Sequence, residues 1–286
     1  MKLVTFLYHD ETRIGVWISA DGQARVLDLN RAADLPTDMG QFLQAGDRAF
    51  AAARSAIAQH DPRFLIPQSD ITLLAPLPHP GKIICIGHNY HGHTGATVPT
   101  YPDIFAKLSN VVIGPHQPIV VTRTSAKVDY EGELAVVIGR RCKYVDQARA
   151  LEVVAGYTIF NDVTARDFQN RTSQWLLGKS FDTYGPMGPY IVTQDEIGDP
   201  GNLELSVTLN GNEMQHSNTH QLIFSIPYLI ECITQAITLE PGDIISTGTP
   251  SGTGASHKPP VFMQPGDEVC VRIEKIGELC NPIVSE

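Results

Sequence analysis

Long apolar runs are missing from this 286-residue chain, and nothing in it approaches the roughly 18 continuous residues of a membrane-spanning helix. The opening MKLVTFLYHDETRIG turns polar after Tyr8, so it does not read as a secretory signal. Positive charge is scarce too. Lys and Arg number 21 against 31 Asp and Glu, a formal net charge of −10. Without a block of Lys and Arg there is no footprint for phosphates, which argues against nucleic acid as a partner. Low-complexity text is absent; with 42% apolar and 18% charged residues a sizeable core can form, and the composition argues against disorder. Cysteines are few: Cys85, Cys142, Cys232, Cys270 and Cys280 are odd in number, scattered, and form no C-x-x-C pair. They read as reduced thiols of a cytoplasmic protein.

What is present divides at a proline-rich connector, Ala75 to Gly81, in which Pro76, Pro78 and Pro80 favour an extended link. The pattern predicts a small N-terminal module over 1–75 and a larger unit over 76–286. In the first, Leu3 to Tyr8, Ile14 to Ile18 and Ala24 to Leu27 read as a β-meander, and Asp38 to Gln59 as one or two alanine-rich helices. In the second, strands are expected at Lys82 to Ile86, Ile119 to Val121, Glu133 to Ile138, Val153 to Phe160, Tyr190 to Thr193, Leu203 to Leu209, Asp243 to Ser246 and Glu268 to Ile273. Asn210-Gly211 signals a tight hairpin. One helix is expected from Thr219 to Ala236, kinked or divided at Pro227. Many strands and few helices give an α+β, mainly β fold.

The segment Val128 to Gly139 holds carboxylates in an unexpected place. Side chains two apart on a strand share a face, so Glu131 and Glu133 point the same way at the mouth of a strand apolar on both faces. Two such acids repel and lose hydration, and a cation relieves both costs. A second apolar strand, from Gly156, ends on Asp162. Three oxygen ligands suit a hard cation such as Mg²⁺, Mn²⁺ or Ca²⁺. For Glu131 and Glu133 alone, the bland alternative is a solvated strand end.

The run Gly87 to His93 carries His88, His91 and His93 just beyond a strand. It reads as a catalytic loop with a histidine base, with a solvated loop or a zinc site using Cys85 as alternatives. The stretch Thr247 to Gly254 lacks the Gly-Lys-Ser/Thr of a phosphate loop, so nucleotide binding is rejected, although its hydroxyls and amides suit a small carboxylate.

In this order the blocks resemble the fumarylacetoacetate hydrolase family over roughly Lys82 to Val284. The blocks are G-x-N-Y-x-x-H at Gly87 to His93, a strand lysine at Lys107, and E-x-E at Glu131 and Glu133. They continue with D-x-T-A-R-D-x-Q up to Gln169, G-K-S-F-D at Gly178 to Asp182, and G-D-x-I-x-T-G-T-P-x-G-x-G at Gly242 to Gly254. The resemblance implies a mixed β-roll, usually dimeric, with Glu131, Glu133 and Asp162 as ligands of Mg²⁺ or Mn²⁺. It makes Lys179 and His93 catalytic, with His91 as a substitute, and places Arg166, Gln169, Thr249, Lys107 and Tyr90 at the substrate. The homodimer interface is expected from the apolar 222–233 helix or exposed strands. The implied activity is hydrolysis of a C–C bond in a 2,4-dioxo acid, such as an acylpyruvate of aromatic or organic-acid catabolism.

One departure bears on that activity. The family's lid has a Glu three residues after the histidine, and Ala96 stands there. Asp103, beyond Pro99 and Pro102, has no evident reason to reach. Loss of a water-activating pair favours enolate chemistry on the same scaffold: a decarboxylase, isomerase, hydratase or lyase of a 2-oxo acid. A non-catalytic binder of metal and organic acid is a further alternative.

Overall fold

The computed structural model describes residues 1–20, 23–33, 35–92 and 98–286; His93 and Ala96 lie outside them. Among these residues the architecture is α+β and mainly β, with a 12-stranded mixed sheet, a five-stranded sheet and a two-stranded ladder. The N-terminal meander forms as its alternation predicts: Lys2–Tyr8 pairs with Glu11–Ala20, which pairs with Gln23–Asp28. The alanine-rich text folds as Met39–Gln44 and Gly46–Gln59. The meander also continues the larger sheet, because Lys2 and Leu3 pair with Val192 and Ile191 of the strand Gly185–Thr193.

The centre of that sheet is Gly132–Ile138, flanked by Val154–Asn161 and Ile244–Ser246, and every residue in it is buried. Its alternation feeds two cores. Leu134, Val136 and Ile138 pack with the five-stranded sheet and the helix Ile226–Ala236. Ala135 and Val137 pack with Met39, Phe42 and Leu43 of the N-terminal helices. Gly132 lets the five-stranded sheet approach, since a Cβ there would stand 2.4 Å from Val207 Cγ2.

Asn210 and Gly211 both have positive φ, 52° and 76°, as a tight hairpin of this type requires. Two expectations need correction. The helix begins at Ile226, capped by Ser225, with Pro227 in its first turn, where a missing N–H does no harm. The residues before it are held open instead: Asn89 bonds both the N–H and the carbonyl of Phe224, and Leu222 bridges to Tyr90. Leu229, Ile230 and Ile233 of this helix lie in the chain's own core. The cysteines are not all reduced: antiparallel register sets Cys270 opposite Cys280 and they form a disulfide, leaving Cys85, Cys142 and Cys232 free and buried. No helix of the described residues is long and apolar enough to cross a membrane.

Candidate active site

The antiparallel pairing of Gly132–Ile138 with Val154–Asn161 continues one residue past both strand ends, where Asp162 N donates to Glu131 O at 2.8 Å. Asn161 Oδ1 accepts from Glu131 N at 3.0 Å. These bonds bring Glu131 and Asp162 together, and alternation adds Glu133. One oxygen from each carboxylate lies within 4.8 Å of the others, all three residues being buried. They line a cavity of about 300 Å³ with Arg166, Gln169, Lys179 and Thr249.

Cations hold two of the three carboxylates. Lys179 Nζ lies 2.6 Å from Glu131 Oε2 and 2.5 Å from Asp162 Oδ2, and Arg166 Nη2 lies 2.6 Å from Glu131 Oε1. Arg166 is fixed in turn by Asp129 at 2.8 Å and Gln169 at 3.1 Å. Burial alone would raise Glu131, but Arg166 and Lys179 outweigh it and hold the acid well below the usual range. Burial likewise opposes charge on Lys179, yet Asp162 and Glu131 hold its ammonium above its ordinary value. Glu133 goes the other way: burial first, then the charges of Asp162 and Glu131, push it well up, despite bonds from Ser246 Oγ and Gly248 N.

Four buried carboxylates (Asp129, Glu131, Glu133 and Asp162) thus face three cations, Lys107, Arg166 and Lys179. The excess negative charge, the all-oxygen donor set and the raised Glu133 fit a hard divalent cation. The Tyr90 hydroxyl adds an orphan: it is buried, raised by burial and by the Glu133 charge, and without a hydrogen-bond partner among the described residues.

The other expected site residues divide. Gln169 and Thr249 line the cavity; Thr249 Oγ1 donates to Gly132 O and accepts from Gln215. Lys107 and Tyr90 do not line it. Lys107 lies behind it, fully buried, donating to Asp162 Oδ1 at 2.6 Å and Val163 O at 2.9 Å. His91 is exposed and off the cavity. Among the described residues, Cys85, His88 and His91 belong to no group that could hold a metal, and burial, then Asp162 and Glu133, raise the Cys85 thiol away from thiolate character. The amides of Thr247 to Gly254 do bind carboxylates, but the protein's own: Gly248 N donates to Glu133 and Gly254 N to Asp129.

Two residues gain a place that their sequence positions do not reveal. Gly87 pairs with Asp103 across adjacent strands, and His88, next in line at φ +54°, turns its Nδ1 to 2.8 Å from Asp103 Oδ2. His88 lines the cavity beside Trp175, whose ring meets it edge-on at 5.7 Å. A larger cleft of about 610 Å³ opens elsewhere, where Arg140 pairs with Asp47 and Arg54 with Asp195, and among the described residues no acid cluster converges there.

Residues 82–284 match the family pattern described as fumarylacetoacetate (FAA) hydrolase C-terminal. The chain is 45% identical over 291 residues to the mitochondrial oxaloacetate tautomerase Fahd2a of Rattus norvegicus, covering 99% of this chain and 92% of that protein. Among solved structures it is similar to a 2-hydroxyhepta-2,4-diene-1,7-dioate isomerase from Mycobacterium marinum, with TM-score 0.82, 34% identity and coverage of 100% and 99%. It is also similar to a maleylpyruvate hydrolase from Sphingobium sp. SYK-6 in complex with manganese(II) and pyruvate, with TM-score 0.83, 30% identity and coverage of 100% and 99%.

Proposed function

The chain belongs to the fumarylacetoacetate hydrolase family, and from that premise we propose that it is a keto–enol tautomerase of a small 2-oxo dicarboxylic acid of the oxaloacetate type. The observation that carries this reading is Lys179, a buried ammonium fixed between Glu131 and Asp162 on the cavity wall. Tautomerisation moves a proton from C3 and places negative charge on the 2-oxo oxygen. A preorganised ammonium in a site with little water stabilises that charge strongly. Arg166, held on two sides by Asp129 and Glu131, adds fixed positive charge, while Gln169 and Thr249 offer polar atoms that orient a carboxylate. Glu131, Glu133 and Asp162 would hold Mg²⁺ or Mn²⁺, which supplies Lewis-acid charge for a 2-oxo acid. Identity to a tautomerase along nearly the whole chain supports the substrate class.

C–C hydrolysis, the activity expected first from the motif order, becomes the second reading, supported by the 30% identical maleylpyruvate hydrolase. It requires an activated water, and Ala96 replaces the lid carboxylate that would assist one. The two readings separate in one experiment. Protein loaded with Mn²⁺ is given enol oxaloacetate, and loss of the enol's ultraviolet absorbance is timed against the spontaneous rate. The tautomerase accelerates it, and chelator or Glu133→Gln removes both the acceleration and the calorimetric Mn²⁺ binding. An unchanged rate, with pyruvate released from an acylpyruvate instead, would hand the site to the hydrolase.

A further inference from the structure

We propose that Cys270 and Cys280, once a small thiol has opened their disulfide, form with Glu268 and Glu278 a binding site for a thiophilic divalent ion such as Zn²⁺. None of the four lines the catalytic cavity, so the site stands independently of the tautomerase reading. The strands Glu268–Ile273 and Gly277–Ser285 carry it by alternation. Val269, Val271, Leu279 and Asn281 turn inward and are buried, which sends Glu268, Cys270, Glu278 and Cys280 to the opposite face. There the two glutamates are exposed and the two cysteines half-buried. Antiparallel register sets Cys270 directly opposite Cys280, with Cα atoms 4.1 Å apart. The same register puts Glu268 on one side of the sulfurs along the ladder and Glu278 on the other. Glu268 Oε1 lies 3.9 Å from Cys270 Sγ, and Glu278 Oε1 lies 3.4 Å from Cys280 Sγ. A Glu268 oxygen and both sulfurs lie within 4.8 Å of one another.

This donor set differs in kind from the buried triad. Glu131, Glu133 and Asp162 offer oxygen alone and suit a hard ion, whereas two thiolates with two carboxylates favour Zn²⁺ in four-coordinate geometry. Zn–S bonds of about 2.3 Å hold two sulfurs roughly 3.7 Å apart, a separation that directly opposed cysteines reach by side-chain rotation. The sheet keeps the ligands together after the disulfide opens. Register pairs from Glu268 opposite Pro282 to Ile273 opposite Gly277 join the strands, so the site is preorganised. It is also within reach of a reductant. Cys85, Cys142 and Cys232 are buried, while the paired sulfurs sit on a partly exposed face that an attacking thiolate can approach.

The chemistry balances in two steps. Two thiol groups of the reductant supply two electrons and two protons. The Cys270–Cys280 bond breaks, one S–S bond forms in the reductant, and both cysteines become thiols. Zn²⁺ then replaces their two protons, which pass to solvent, and its charge offsets the thiolates beside the two carboxylates.

The test uses the full chain, either oxidised or reduced with dithiothreitol and freed of it without air, in saturating Mg²⁺ to occupy the oxygen triad. Co²⁺ is the probe, because thiolate ligands give it a near-ultraviolet charge-transfer band that oxygen ligands do not. Reduced wild type should develop the band and lose it when Zn²⁺ is added; oxidised wild type should show none. Cys270→Ser/Cys280→Ser should lack the band while keeping its strand content by circular dichroism. Glu268→Gln and Glu278→Gln should keep the band, each with Co²⁺ affinity lowered by about 10-fold or more. No band in reduced wild type, or an equal band in oxidised protein, would overturn the proposal. A band persisting in the double cysteine variant would overturn it too, by moving the ion to other thiols. Unchanged Co²⁺ affinity in both glutamate variants would overturn the four-ligand site; this arm and the oxidised–reduced comparison leave the cysteines in place.

Discussion

Lys107 and Lys179 both bond Asp162, yet only Lys179 faces the cavity. Lys107 is dry: burial pulls its ammonium down, against the charge of Asp162. Removing one partner of a buried pair strands the other, at a cost of about 3–5 kcal/mol. Lys107→Met is therefore expected to lower the unfolding free energy from urea titration by that amount, and the midpoint with it. A midpoint equal to wild type would show that Asp162 does not need its second lysine. Legibility at this scale follows distance along the chain. Glu131 and Glu133 were visible because alternation alone puts them on one face. The His88–Asp103 pair was not, because it depends on a register in which Ile83–Gly87 runs beside Asp103–Lys107, and the intervening prolines disguise that return.

The short helices Arg166–Gln169 and Leu176–Lys179 show how tightly elements set the site. They touch at Gly178, where a Cβ would stand 2.4 Å from Gln169 N and 2.6 Å from its Cα. Both are backbone atoms and cannot rotate aside. Gly178→Ala must separate the helices that carry Arg166 and Lys179, and a misplacement of about 1 Å can lower a rate 100-fold. We expect the variant to lose at least that much activity while retaining its strand content by circular dichroism; activity within threefold of wild type would show that the contact relaxes elsewhere. Elements with local signatures could be read directly, as with the Asn210-Gly211 hairpin. The helix start could not, because the apolar spacing of Leu222 and Ile223 mimics a helix while Asn89, over 130 residues earlier, holds their backbone open.

At the scale of the molecule, the N-terminal meander is part of the catalytic sheet. Its own strands were legible from alternation, but the pairing of Lys2 with Val192 spans the chain and leaves no local mark. Tyr190 sits at this seam, its ring 5.3 Å from Trp17. Burial lifts its phenol from an ordinary 10 to about 12. The folded chain therefore keeps a proton that the unfolded chain releases between those values, so this contribution is whole below pH 10 and lost as pH rises through about 12. Urea midpoints measured across that window should fall with pH, and less steeply in Tyr190→Phe; identical slopes would remove Tyr190 as a cause. The three cations around the acids have a consequence of another kind. Because Lys107, Arg166 and Lys179 already neutralise most of the buried acid, the metal-free chain is expected to stay folded, unlike a zinc finger; loss of strand content by circular dichroism on adding chelator would refute this. Under the proposed chemistry, the working fraction of such a protein would then follow the supply of free divalent ions around it.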